Sequence, residues 1–394
     1  IYDMVARPGG VTDCLPYWQD QDDRLFVLAK HGYPRPIANA VPRITPVLDE
    51  KFWSGHMVEP ISIAESRLDN LPEFHARLAH RSGLEKEAFD NEATGLNYYP
   101  SPGMAGELVT AMFVPLSGPA NDYVWPIPAR LSGFSNGGEI RAYAAQDLLR
   151  AAQVGILPES RLEMNIYDLM RRNDIAPDAW LGDALPALSQ SEIDKQDLNE
   201  LLSQEPSQAY EPSEKSAGYL RHIRSEFADR AQGGKRLKVT PLEFVVPAKG
   251  GMNVVSILPL ARDEDGEICI GLEERDLPAP QTREGNSRIL VAPAFRLPQT
   301  VSSHEGAANF VAGKFNVARE KVGKLGEGFF SSVGMTPERI FPYVAAVEQN
   351  NAPDLKFVSL RSVFNNLDRL RDGQLMIGAL RAVHALDLWK AYKK

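Results

Sequence analysis

Apolar and polar positions alternate in short runs along the chain, and several of the runs occur twice. Cys14-Leu15-Pro16-Tyr17-Trp18 leads into the acidic stretch Asp20-Gln21-Asp22-Asp23, then a second apolar run, Leu25-Phe26-Val27-Leu28. That order predicts strand, turn, strand: a β-hairpin. Residues 257–271 lie against 14–28 without a gap, at an offset of 243 (14 to 257), with Asp265-Gly266 as the turn. A second match pairs 95–107 with 326–338 at an offset of 231 (95 to 326), so the first copy holds about a dozen extra residues between the landmarks. Strands over 108–116 and 339–347 follow it. The third landmark is a helix crossing a Gly-x-Leu step, 146–157 and 362–375. Three landmarks in one order point to a tandem duplication.

Between the copies, 183–216 is rich in Ser, Gln, Glu and Pro and reads as a polar linker. Tyr219, Leu220, Ile223, Phe227 and Ala231 have the spacing of an amphipathic helix over 217–232. The run 238–246 reads as the first strand of the second copy. The boundaries are therefore 1–182 for domain 1, 183–236 for the linker and connecting helix, and 237–394 for domain 2.

Length and composition agree with two domains: 394 residues, 43% hydrophobic and 24% charged, suit two globular cores better than one. A net charge of −9 with no long basic run excludes an extended nucleic-acid footprint. No apolar run reaches the roughly 20 residues of a membrane span, and Ile1-Tyr2-Asp3-Met4-Val5 lacks a signal-peptide pattern. Cys14 and Cys269 sit in separate apolar stretches and read as buried free thiols, which suits a reducing, cytoplasmic setting.

Tyr98-Tyr99-Pro100-Ser101-Pro102-Gly103 with Glu107 resembles the aromatic–Ser–Pro–Gly–acid signature that opens a strand in Nudix domains of the ADP-ribose pyrophosphatase type. Phe329-Phe330-Ser331-Ser332-Val333-Gly334 with Glu338 is its weaker twin. Met57-Val58-Glu59-Pro60-Ile61 looks like the strand entering the Nudix box, with Ala294-Phe295-Arg296-Leu297-Pro298 as its match in the second copy. The resemblance covers most of the chain and implies an α/β fold of mixed sheets: two Nudix-like α/β/α sandwich domains in tandem. It implies a ligand-facing role for Glu59, Tyr99, Glu107, Phe330 and Glu338. It also implies a pseudo-twofold pairing of the two domains within the chain.

The Nudix box itself does not match. Its Arg-Glu and Glu-Glu pairs fall on Ala76-Arg77 and His80-Arg81 in the first copy, and on Asn309-Phe310 and Gly313-Lys314 in the second. A hard divalent cation needs oxygen ligands, and Arg81 or Lys314 would place positive charge where the metal should sit. No catalytic residue, no metal site and no cofactor are therefore expected. The first reading is an inactive tandem Nudix-like scaffold or assembly subunit with a protein partner, retaining a cleft for a nucleotide. The alternative is a Mg²⁺-dependent hydrolase of a nucleoside diphosphate derivative such as ADP-ribose, its metal held by loop carboxylates, among them Glu59, Glu65 and Glu107. A nucleotide-sensing regulator is a third. His75 and His80 are spaced for different helix faces, not for zinc. Gly133-Phe134-Ser135-Asn136-Gly137, ahead of a helix over 139–152, is a weak nucleophile motif. Gly103 and Gly334 are expected in turns needing positive φ.

Overall fold

The computed structural model describes residues 3–5, 10–32, 38, 48–49, 57–64, 71–127, 138–211, 218–230, 236–332 and 334–393. It is a mixed α/β chain with two eight-stranded mixed sheets and a separate two-stranded ribbon. Among the described residues no helix is long and apolar enough to cross a membrane.

The first copy comprises β1 (Val11–Gln19), β2 (Leu25–Gly32), β3 (Met57–Glu59), β4 (Ile61–Ile63), α1 (Leu71–Ser82), β5 (Ala93–Tyr98), β6 (Val109–Pro115), β7 (Val124–Ile127), β8 (Gly138–Ala144), α2 (Ala145–Gln153) and α3 (Ser160–Arg172). After α4 (Leu198–Ser203), the ribbon strands β9 (Leu220–Arg230) and β10 (Arg236–Pro247) precede the second copy. This comprises β11 (Asn253–Arg262), β12 (Ile268–Asp276), α5 (Pro278–Glu284), β13 (Arg288–Val291), β14 (Ala294–Arg296), α6 (His304–Phe315), β15 (Val322–Lys324), β16 (Phe329–Phe330), β17 (Arg339–Ala346), β18 (Lys356–Ser359), α7 (Leu360–Asn365), α8 (Gly373–Ala385) and α9 (Trp389–Tyr392).

Strand pairing repeats between the copies down to the register. In the hairpins Tyr17 faces Val27 and Leu260 faces Ile270, so both strands keep the offset of 243. In the parallel pair Cys14 faces Met112 and Ile257 faces Tyr343, which carries the offset of 231 (112 to 343). A one-residue slip would turn the apolar face of a strand to the wrong side, so register is a demanding test of the match. Helices α1 and α6 stop at the same point in each copy: Gly83 and Asn316, just past their ends, both adopt positive φ, as helix C-termini favour.

Several elements depart from the sequence reading. Residues 220–230 form a strand, not the expected amphipathic helix, because they pair with β10 along its whole length. The strand expected over 238–246 exists, but it belongs to this ribbon and not to the second sheet. The third landmark is two helices in each copy. Gly155, at positive φ, follows the end of α2, whereas Gly373 opens α8, so α8 corresponds to α3 and the two glycines are not equivalent. The helix expected over 139–152 begins only at Ala145, after β8. The structural partner of Met57–Ile61 is 289–293, since Lys30 faces Glu59 where Glu273 faces Val291. Gly103 does not adopt positive φ. The polar segment 183–211 is laid on the second copy: Gln190 bridges Arg262, Lys195 bridges Phe357, and Lys195 Nζ lies 2.7 Å from both Asp263 and Glu267.

The two copies meet reciprocally. Tyr99 N–H donates to the Arg371 carbonyl and Phe330 N–H to the Pro158 carbonyl, at 2.8 and 2.9 Å. Tyr99 corresponds to Phe330, and Arg371 to Pro158, so each contact is the other with the copies exchanged, the pattern of a twofold-related pair. Helices α3 and α8 pack together across this junction, and one apolar core runs through both, from Leu162, Ile166 and Leu169 to Leu375, Ala379 and Val383. Inside it the Arg381 guanidinium forms a fork to Glu163, both bonds 2.7 Å, and donates to the carbonyls of Leu325 and Glu327. His384 Nδ1 takes the Tyr167 hydroxyl at 2.9 Å, and burial lowers its pKa.

Removing one partner of a buried, hydrogen-bonded ion pair strands the other charge at a cost of about 3–5 kcal/mol. Arg381→Met is expected to lower stability by that amount in urea unfolding, and more than Arg77→Met, whose side chain lies on the exposed face of α1. Equal effects of the two substitutions would show that the junction contributes little.

Candidate functional site

The reciprocal junction leaves a cleft beside the second sheet. In the second copy it is an open cavity of about 380 Å³, within the size range of small-molecule sites. Val254 on β11, Val291 on β13 and Ala294 on β14 form an apolar floor with Ala292 and Leu277. Arg296 at the end of β14, Glu338 just before β17, and Asp372 and Gln374 at the start of α8 supply polar groups. The first copy contributes the opposite wall, Ser101 to Met104, while Asp3 and Tyr219 stand at the mouth.

Two of these groups owe their position to helix and strand starts. Asp372 is the N-cap of α8: its carboxylate accepts from the N–H groups of Gln374 and Leu375, and also from Ala292. Burial nevertheless pushes it up to about 6. Glu338 is buried, and its carboxylate is bonded by Arg296, which also donates to the Gly251 carbonyl at 2.7 Å.

The corresponding place in the first copy is filled differently. Arg161, the counterpart of Gln374, donates to Asp13 at 2.6 Å and to Ser62 at 2.8 Å, and Ser62 donates to Asp13. Lys30 Nζ lies 3.3 Å from Glu59. Ser332 of the second copy donates to Glu107 at 2.9 Å. Glu159 caps α3 as Asp372 caps α8, accepting from Leu162 N–H at 2.6 Å. Burial pushes Glu159 up to about 8 and Asp13 upward as well, in both cases against the pull of Arg161. Burial also opposes the charge on Arg161, but Asp13 and Glu159 more than offset it and hold the guanidinium protonated.

Of the five residues expected to face a ligand, Glu338 lines the cavity. Glu107 and Glu59 are buried and engaged as just described. Tyr99 and Phe330 belong to the junction between the copies: Tyr99 pairs with the chain at Arg371 and Gly373 and donates its hydroxyl to Glu284, while Phe330 stacks under Arg339. The sequence reading missed Asp372, Gln374, Arg275 and the wall at Ser101 to Met104. Asp372 was within reach, since aligning α3 with α8 sets it against Glu159.

The positions that the resemblance sets against the Nudix metal ligands include cationic side chains. Arg77 pairs with Glu73 at 2.6 Å. Lys314 Nζ sits 4.8 and 5.2 Å from the ring centroids of Phe295 and Phe310. Among the described residues no group of three or more His, Cys, Asp or Glu is placed to hold a metal. His75 instead lies 3.0 Å from Glu92. Both cysteines are free and buried. Ser135 and Glu65 lie outside the described residues.

The two cap carboxylates make stability depend on pH. Their folded pKa values exceed the ordinary ~4 of an unfolded carboxyl, so the folded chain holds extra protons above that pH. Their contribution is full below about pH 4 and is lost as pH rises through about 6 for Asp372 and about 8 for Glu159. The slope is at most about 1.4 kcal/mol per pH unit for each group. Urea unfolding is expected to need less denaturant at pH 8.5 than at pH 5.5, and Glu159→Gln to flatten the part of the curve between 6.5 and 8.5. An unchanged slope in that variant would rule out Glu159 as the source.

No known family model matches the chain, and no curated protein is similar enough to it to serve as a relative.

Proposed function

We propose that the chain is a catalytically inactive tandem Nudix-like protein that works as a scaffold or assembly subunit in the cytoplasm. The observation that carries this reading is the set of side chains at the metal positions. In the first copy Arg77 and Arg81 stand there, and in the second Lys314 lies against Phe295 and Phe310. Phosphoanhydride hydrolysis of the Nudix kind needs a metal to polarise the substrate and activate water, and fixed cations repel one.

The hydrolase alternative would recruit Glu59, Glu107 or Glu338. Glu59 and Glu338 already hold Lys30 and Arg296 in buried or half-buried pairs, and opening such a pair for a metal costs about 3–5 kcal/mol. The scaffold reading also draws on β7, which has no counterpart among the described strands of the second copy. It ends the first sheet with Val124 and Trp125 exposed, and an exposed apolar edge strand invites a protein partner. The cleft of the second copy supports retained ligand binding, the nucleotide implied by the Nudix resemblance included. The cytoplasmic setting rests on the two buried free thiols.

Phosphorus NMR tests the reading directly. Purified protein with Mg²⁺ or Mn²⁺ and a panel of nucleoside diphosphate sugars, dinucleotides and ADP-ribose is expected to release phosphate species no faster than buffer. Turnover of any one substrate, lost on replacing Glu107 and Glu338, would overturn it.

A further inference from the structure

Two equivalent corners of the molecule differ in whether a helix covers them. In the second copy the corner lies between β13 and the turn that enters α8. Helix α4 sits on it, with Leu198 and Leu201 buried in one cluster with Leu290, Leu367 and Leu370. Polar bonds fix the helix there: Arg369 donates to the Asn199 side-chain oxygen, and Arg288 donates to the Leu201 and Gln204 carbonyls.

Counting back from the two helix caps, Glu159 and Asp372, locates the matching corner of the first copy. Leu157 matches Leu370, both buried, and Ile156 matches Arg369. Across the corner Val58 on β3 matches Leu290 on β13, since His31 faces Val58 where Glu274 faces Leu290. Among the described residues no helix of the first copy sits here: α2 and α3 form the corner, and α1 packs on the other face of the sheet, with Cys14 and Met112. Ile156 is 70% exposed and Val154 43%. Leu181, 52% exposed, is held beside them by a 2.9 Å bond from its N–H to the Gln153 side chain. These are three of the six large apolar side chains exposed among the described residues, so they make a patch and not scattered singles. The turn is closed by bonds from the Ile156 and Leu157 N–H groups to the Ala151 carbonyl, at 2.8 and 3.0 Å. The patch is therefore preformed, and Arg150 with Asp147 and Asp178 gives it a polar rim.

We infer that this corner is the docking site for a short amphipathic helix of a partner protein, one that presents leucine-type side chains three and four positions apart. The form of the occupant follows from α4, whose Leu198, Leu201 and Leu202 have that spacing on the matching corner. Its chemistry follows from the exchange between the corners: Ile156 in place of Arg369 calls for an apolar residue where α4 carries Asn199. Docking here serves the scaffold role proposed above but does not depend on whether the chain hydrolyses anything, so the phosphorus experiment and this one fail separately.

A fluorescent, helix-stapled peptide of residues 194–206 carrying Asn199→Leu, titrated with the full chain and followed by anisotropy, tests the assignment. It is expected to saturate at one per chain and to bind more tightly than the same peptide with Asn199 kept. Ile156→Asp, at a site too exposed to disturb folding, is expected to weaken it about tenfold or more. Arg369→Ala, on the corner that α4 already covers, is expected to leave it unchanged. No saturable binding, a preference for the Asn199 peptide, indifference to Ile156→Asp, or equal loss with Arg369→Ala would each overturn it. So would self-association of the full chain that Ile156→Asp abolishes, since a second copy would then be the occupant.

Discussion

The structure depends on a mutual exchange of main-chain hydrogen bonds at two capped helix starts. The strand end at Tyr99 runs beside Asp372, and the strand end at Phe330 runs beside Glu159. Each carboxylate answers N–H groups at the start of its own helix, which buried backbone donors require. With the caps seated, α3 and α8 come together, one apolar face of each sheet joins a shared core, and the first copy walls the cleft of the second. An arginine buried in that core, Arg381, can exist there only because Glu163 and the neighbouring carbonyls of Leu325 and Glu327 meet it.

Much of this fold was legible in the residues. The hairpin match from Cys14 to Ile257 and the second match from Gly95 to Gly326 reproduce the observed strand registers, because apolar alternation has period two and tolerates no slip. The ribbon was not legible. Leu220, Ile223 and Phe227 suit a helical stripe as well as a strand, and pairing with a distant partner, β10, decides between them. The candidate site was legible only in part. Glu338 stood out as the acid after an aromatic–Ser–Ser turn, but its setting depends on Ser101 to Met104 arriving from the other copy. No local pattern encodes that approach. Setting Met57–Ile61 against 294–298 in place of 289–293 also hid Val291 and Ala292, the residues that make the floor apolar.

The same cleft has been finished in two ways. In the first copy buried carboxylates, a lysine and an arginine are bonded to one another, and Glu159 keeps a proton well above its ordinary range. In the second, Val291 replaces Glu59 and Ala294 replaces Ser62, and the space stays open. Two identical subunits related by a twofold axis cannot differ in this way, since every substitution would appear on both sides. Joining the copies in one chain removes that restriction. One half is then free to serve as structure while the other keeps a cavity.

The reciprocal junction also governs how the molecule can be made. Glu107 waits for Ser332, 225 positions further along the chain. At a synthesis rate of about 5–20 residues per second, that interval is roughly 10 to 45 seconds. Throughout it the nascent first half has its strand end at Tyr99 unpaired and the apolar side of α3 uncovered. Biosynthesis therefore exposes for many seconds a surface that the finished protein buries, and the folding of the first half is a joint event with residues 330–385, made well after it.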